Sequence, residues 1–145
     1  MSKVLGVDYG ERRTGIAISD DTRTIAFPRE TLDCPRPEQA AAAVARLADS
    51  ERAAEIVVGY PLNMNGTLGA RTTRTDEFMA ELAKRTAIPL KKWDERLSTK
   101  IAEAVLIEAG TSRGKRRGVV DKLAAQVILQ GYLDATASAA EDGAP

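Results

Sequence analysis

Asp8 closes the short apolar run Val4-Leu5-Gly6-Val7, and the turn-prone stretch Tyr9-Gly10-Glu11-Arg12-Arg13-Thr14-Gly15 follows at once. An ionised carboxylate at the end of a buried strand is costly to desolvate unless a cation or hydrogen bonds compensate. Functional sites accept that cost to hold a metal or to activate a nucleophile; an Asp that caps the next turn is the structural alternative. Glu95 lies in Asp94-Glu95-Arg96, just past the short expected strand Pro89–Trp93, where a solvated loop with an ion pair is the plainer reading. Asp121 opens the last amphipathic stretch. At about 100° per helical residue, Ala125, Ile128 and Tyr132 fall within about 40° of it. Asp121 therefore occupies a stripe that otherwise packs inward, while Lys122 lies off it. An acid serving only the helix dipole would not need that stripe.

Three carboxylates brought together would repel one another and resist ionisation. A divalent cation removes the conflict. Two such ions, ~4 Å apart, activate a water and stabilise the leaving oxygen of a phosphodiester. No histidine is needed, and the chain has none. That excludes Ser-His-Asp and Cys-His catalysis and the His-x-x-x-His zinc proteases. The single cysteine, Cys34, excludes zinc ribbons, iron–sulfur clusters and internal disulfides and reads as structural. Any metal is then held by oxygen, which points to Mg²⁺ or Mn²⁺.

Basic partners stand close to these acids in sequence. Arg113, Lys115, Arg116 and Arg117 are interspersed with Gly110, Gly114 and Gly118 immediately ahead of Asp121. This stretch reads as a flexible loop able to hold a nucleic-acid backbone or as a merely solubilising charge cluster. Asn65, in Asn63-Met-Asn65-Gly66-Thr67, together with Arg13 and Arg96, adds candidate substrate contacts; Arg12 and Arg74 are further ones. Turn chemistry alone also accounts for the Asn and Gly residues. Few aromatics are available for base stacking, so sequence-specific base reading is not expected.

The 145 residues, 43% hydrophobic with 21 basic and 21 acidic side chains, fit one globular domain with no uniformly basic surface. No apolar run reaches the roughly 18 residues a membrane span needs. A strand expected from residue 3 leaves no room for a signal peptide, so a cytoplasmic location is expected. Strands are expected over residues 4–8, 14–19, 24–32 (interrupted near Pro28), 55–59 and 89–93. Helices are expected over 37–52, 71–85, 98–109 and 119–135. The short links between the first three strands imply an antiparallel meander. Alternating strands and helices then extend it into a mixed five-stranded α/β sheet flanked by helices. Residues 1–136 form the domain and 137–145 a flexible tail. Strand carboxyl ends are where such sheets keep their functional crevice. Asp8, Gly59 and the stretch after Trp93 all fall there.

At this point the motifs resemble a known family. Val4-Leu-Gly-Val-Asp8-Tyr-Gly10-x-x-Arg13-x-Gly15-x-Ala17-x-Ser19-Asp20 is similar to the opening motif of the YqgF family, also called RuvX, of pre-16S rRNA nucleases. Val57-Val58-Gly59-x-Pro61 with Asn65-Gly66, then Asp94-Glu95-Arg96-x-Ser98-Thr99, then Asp121-x-x-Ala124-Ala125-x-x-Ile128-Leu129-x-x-Tyr132-Leu133 resemble its later motifs. The resemblance runs from about residue 3 to 134. It implies an RNase H-like fold related to the Holliday junction resolvase RuvC. It also implies metal-dependent nuclease chemistry with Asp8, Glu95 and Asp121 as the acidic set, and maturation of the 5′ end of small-subunit ribosomal RNA on precursor particles. The chain departs from resolvase relatives at Gly59, where they carry an acid at the end of the fourth strand; Glu95, one strand further out, would have to reach in.

Structured RNA and branched DNA both remain open as substrates, since no motif reveals 2′-OH contacts. A phosphotransferase is a second class, because the first hairpin also resembles the phosphate loop of actin-like ATPases; those enclose ATP between two copies of the fold, and this chain holds one. A non-catalytic nucleic-acid or ribosome-binding module is a third. A homodimer is compatible with the sequence without being readable from it.

Overall fold

The computed structural model describes residues 3–63, 65–95 and 113–143, and side chains on the last helix from Lys122 to Ala137. The expected helix over 98–109 lies outside the described residues. Five strands form one sheet in the order β3-β2-β1-β4-β5: β1 Val4–Tyr9, β2 Thr14–Ser19, β3 Ala26–Leu32, β4 Glu55–Tyr60 and β5 Leu90–Asp94. β1–β2 and β2–β3 pair antiparallel, and β1–β4 and β4–β5 pair parallel. This is the expected meander with two parallel strands added at one side. The helices among the described residues are α1 Pro37–Ser50, α2 Ala70–Ala83 and α3 Arg113–Gly143.

The side-chain period of two along a strand sorts these residues onto two faces. Leu5, Val7 and Tyr9 of β1, with Ile16, Ile56 and Val58, pack under α1 and α2 against Val44, Ala48, Phe78 and Leu82. Val4, Ala17, Ala26 and Val57 point the other way, against Ala125, Ile128, Leu129 and Leu133 of α3. Pro37 starts α1, where its missing N–H is harmless. The Thr72 hydroxyl accepts a hydrogen bond from the Gly69 N–H (2.8 Å) at the start of α2.

Three expectations need correction. β3 is not interrupted at Pro28; its pairing shifts instead, Ile16 facing Glu30 and Ala17 facing Pro28. Arg29 is the extra residue of this bulge, and on an edge strand Pro removes no donor the sheet needs. The Arg29 guanidinium reaches the Glu51 carboxylate at the end of α1 (Nε–Oε1 3.1 Å) and holds its pKa below the ordinary value. The basic stretch expected as a loop is helical from Arg113 onward. Lys and Arg are good helix formers, and two glycines at ~1 kcal/mol each do not outweigh a continuous ladder of hydrogen bonds. The stretch expected as a flexible tail stays helical up to Gly143, in keeping with the helix propensity of its alanines.

α3 is pinned to the edge of the meander through main-chain atoms. Gln126 donates to the Ala26 carbonyl (3.0 Å); Gln130 accepts from the Ala26 N–H (2.9 Å) and donates to the Thr24 carbonyl (2.9 Å). At the base of the sheet the Tyr132 hydroxyl donates to Glu55 (2.6 Å), which also pairs with Arg23 (2.7 Å). Burial first, and the Glu55 hydrogen bond second, push the Tyr132 phenol up to about 12. Asp20, in the opening motif, closes the β2–β3 link. It accepts from the N–H groups of Thr24 (2.8 Å) and Ile25 (3.0 Å) and from the Thr22 hydroxyl, and these bonds lower its pKa to about 2.

Candidate active site

The alternation that buries Val7 and Tyr9 under α2 turns Asp8 to the α3 face, half-buried at the carboxyl end of β1. Tyr9 itself stacks on Phe78 (centroids 4.6 Å apart, planes 11° apart), and burial pushes its phenol up. Gly6 shows how near α3 comes. A β-carbon there would stand 2.7 Å from the Leu129 Cβ and 3.2 Å from the Ala125 carbonyl oxygen.

The direction of α3 follows from two contacts. Ile128 lies over Gly59, near the end of β4, and Tyr132 bonds Glu55 at its start. The helix therefore runs opposite to β1 and β4. Its earlier turns, Asp121 among them, lie toward the carboxyl ends of those strands. The Asp121 side chain is outside the described residues.

Glu95 follows β5 directly and folds back over β4. Its Oε1 lies 2.7 Å, and its Cγ 2.9 Å, from the place a β-carbon of residue 59 would take. The side chain is only 16% exposed, and Oε2 stands 3.6 Å from the Arg71 guanidinium. Val7 pairs with Val58, so one further step of the same register sets Asp8 beside Gly59. The Glu95 carboxylate thus occupies the strand next to Asp8, on the side facing α3. It lies where a side chain on residue 59 would otherwise stand. Trp93, two residues earlier on the same face, packs edge-on against Tyr132 (6.2 Å, 88°) and seats the end of β5 under α3.

Oxygen donors of this kind suit a hard divalent cation, and the bare Gly59 leaves the room that the Glu95 side chain takes. Among the described residues, no three acidic, histidine or cysteine side chains gather closely enough to hold a metal; the third expected donor is Asp121.

The other expected contacts are dispersed. Arg13 is half-buried where the first hairpin enters β2, and Lys122 is half-buried on α3. Arg113, Lys115, Arg116 and Arg117 lie in the first turns of α3, known by backbone alone. Arg96 lies outside the described residues. The Asn65 side-chain oxygen accepts from the Thr67 N–H (3.1 Å) and hydroxyl (2.6 Å), the turn role foreseen as its alternative. Arg71 was not singled out by the sequence. Its pairing with Glu95 closes between distant stretches of chain, and its only local signal is a cation in the first turn of a helix. With Arg74, which pairs with Glu11, it lines a hollow against Tyr9, Gly10 and Thr75 at the carboxyl end of β1.

Known structures share this architecture. Thermus thermophilus RuvC in complex with a Holliday junction substrate matches with a TM-score of 0.62 at 14% identity, covering 94% of this chain and 96% of that one. A fowlpox virus resolvase bound to Holliday junction DNA matches at 0.58 and 13%, covering 92% and 98%. The fold is therefore RNase H-like, of the resolvase type. The family model described as RuvX, Holliday junction resolvase, matches residues 2–135, and the chain belongs to that family. A relative from Halothermothrix orenii is 48% identical over 132 residues, 91% of this chain and 94% of its own length. One from Symbiobacterium thermophilum is 46% identical over 136 residues, 94% of each. Both carry the name "Putative pre-16S rRNA nuclease". The protein is a nuclease, a hydrolase acting on ester bonds. No helix among the described residues is long and apolar enough to cross a membrane.

Proposed function

We propose that this nuclease is a divalent-metal-dependent endonuclease that trims the 5′ end of the small-subunit ribosomal RNA precursor. It would act in the cytoplasm on precursor particles, through one catalytic domain spanning residues 1–136. The observation that carries the reading is the Glu95 carboxylate folded over Gly59 on the α3 side, next to Asp8. Asp8, Glu95 and Asp121 are the residues that would hold Mg²⁺ or Mn²⁺. Bound there, the metal supplies an activated water and stabilisation of the leaving oxygen. The rest is positioning by the chain. Arg71 and Arg74 stand at the rim in ion pairs with Glu95 and Glu11, where a backbone phosphate would compete for their guanidinium groups. Arg113, Lys115, Arg116 and Arg117 crowd cations at the positive end of the α3 dipole, an unfavourable placement that a bound polyanion would relieve. Arg13, Asn65, Arg96 and Lys122 remain contacts to test by substitution.

Cleavage of a precursor-like RNA, followed for the wild type and for Asp8→Asn, Glu95→Gln and Asp121→Asn with a Mn²⁺ titration, tests the reading. Asp8→Asn should reduce cleavage by at least about a thousandfold, ~4 kcal/mol of transition-state stabilisation. Undiminished cutting by Asp8→Asn would sink the metal role. The family description favours a second substrate, four-way-branched DNA. Faster cutting of a Holliday junction than of the RNA under matched conditions would move the assignment there.

A further inference from the structure

We propose that Gly59 is a positioning residue for the nuclease reaction: the absence of a β-carbon at the end of β4 makes the seat in which the Glu95 carboxylate rests. The inference builds on the reading of Glu95 as a metal ligand. It goes further by assigning a function to a residue with no side chain of its own.

The argument is steric. A β-carbon on residue 59 would lie 2.7 Å from Glu95 Oε1, 2.9 Å from Glu95 Cγ and 2.6 Å from the Ile128 Cδ1. Each is well inside the roughly 3.5–4.0 Å at which carbon atoms make contact. None of the three is a backbone atom or a β-carbon: the Glu95 atoms move by rotation about its own side-chain bonds, and only the terminal methyl of the buried Ile128 is in the way, so side chains can give way while the backbones of β4 and α3 stay where they are. Gly6, on the same face of the neighbouring strand, differs in kind. There a β-carbon meets the Leu129 Cβ and the Ala125 carbonyl oxygen, which cannot swing aside. A methyl at 59 should therefore leave the fold nearly unchanged and displace the Glu95 carboxylate. An acid on β4 and a Glu reaching over from β5 compete for one volume.

The test compares the wild type, Ile128→Val, Gly59→Ala, Gly59→Ala/Ile128→Val, Glu95→Gln and Gly59→Ala/Glu95→Gln by calorimetric Mn²⁺ binding, by thermal unfolding of the metal-free protein and by cleavage. Ile128→Val removes the Cδ1 methyl, so the second variant isolates the clash with Glu95 and guards against a fold lost to crowding at Ile128. Both Gly59→Ala variants should melt within a few degrees of their Gly59 counterparts and weaken Mn²⁺ binding by about 10- to 100-fold, the range for residues that orient a ligand. In the Glu95→Gln background, Gly59→Ala should weaken binding no further. Wild-type Mn²⁺ affinity in Gly59→Ala/Ile128→Val alongside impaired Glu95→Gln overturns the proposal and leaves the metal reading standing. So does an undiminished effect of Gly59→Ala in the Glu95→Gln background. Wild-type affinity in Glu95→Gln overturns the ligand reading itself, and the seat with it.

Discussion

The two faces of this sheet are made by alternate residues of the same strands, yet they are different materials. Under α1 and α2 the interior is large and apolar, with Phe78 stacked on Tyr9 and Leu5, Ile16, Ile56 and Leu82 fully buried. Under α3 the strands set the small Gly6, Ala17, Ala26 and Gly59 among Val4 and Val57, and at the glycines the helix comes close enough to touch backbone. Beyond them the α3 face ends in acids. One face holds the sheet together. The other sacrifices side-chain volume so that a helix and a carboxylate can sit close to the strand ends. A single strand can serve both because neighbouring positions never share a face.

Substitutions on the two sides should separate stability from chemistry. Phe78→Ala removes a fully buried ring and should cost about 3–5 kcal/mol. That is a large part of the roughly 5–15 kcal/mol of an ordinary domain. Urea unfolding measures it, and cleavage per folded molecule should hold; a proportionate loss of intrinsic rate would mean that the apolar face also shapes the site. Gly6→Ala comes next, at ~1–3 kcal/mol of overpacking, because α3 itself must move; an unchanged melting temperature would show that the helix is looser than its contacts imply. Tyr132→Phe is the gentlest. The Tyr132 phenol titrates near 12 in the folded chain against an ordinary 10.0. Its contribution is complete below pH 10 and is lost as the pH rises through 12. Between those limits the wild type should lose stability faster than the Phe variant, read as the shift of the urea midpoint with pH. Parallel curves would remove Glu55–Tyr132 from the forces fixing the far end of α3.

Strands β1, β2 and β4 were legible because short apolar runs bounded by turn residues admit little else, and Thr14–Ser19 agrees to the residue. The bulge at Arg29 was not. Pro28 signals an irregularity, but whether a strand stops or absorbs an extra residue depends on its partner across the sheet. The first turns of α3 misled for a related reason: glycines among cations suggest a loop when read locally, whereas continuation of a helix is settled over many residues. Asp20 stood in the recognised opening motif, and its hydrogen bonds give it a structural role in the β2–β3 link. At the site, Asp8 was visible as a charge where an apolar run ends, whereas Gly59 drew notice only through the resemblance to resolvases. Arg71 was invisible because its meeting with Glu95 is made only when α2 and β5 are placed on the same sheet.

The glutamines of α3 hold the meander by its peptide groups and not by its side chains. Such a grip is indifferent to which amino acid stands at the exposed position 24, so the outer hairpin can drift in sequence there over generations without unseating the helix that carries Asp121, while Ala26 stays small because it is buried beneath that helix. The half-exposed Ile25 and Phe27 are then places where new surface properties can be tried while the helix keeps its bearing over the strand ends.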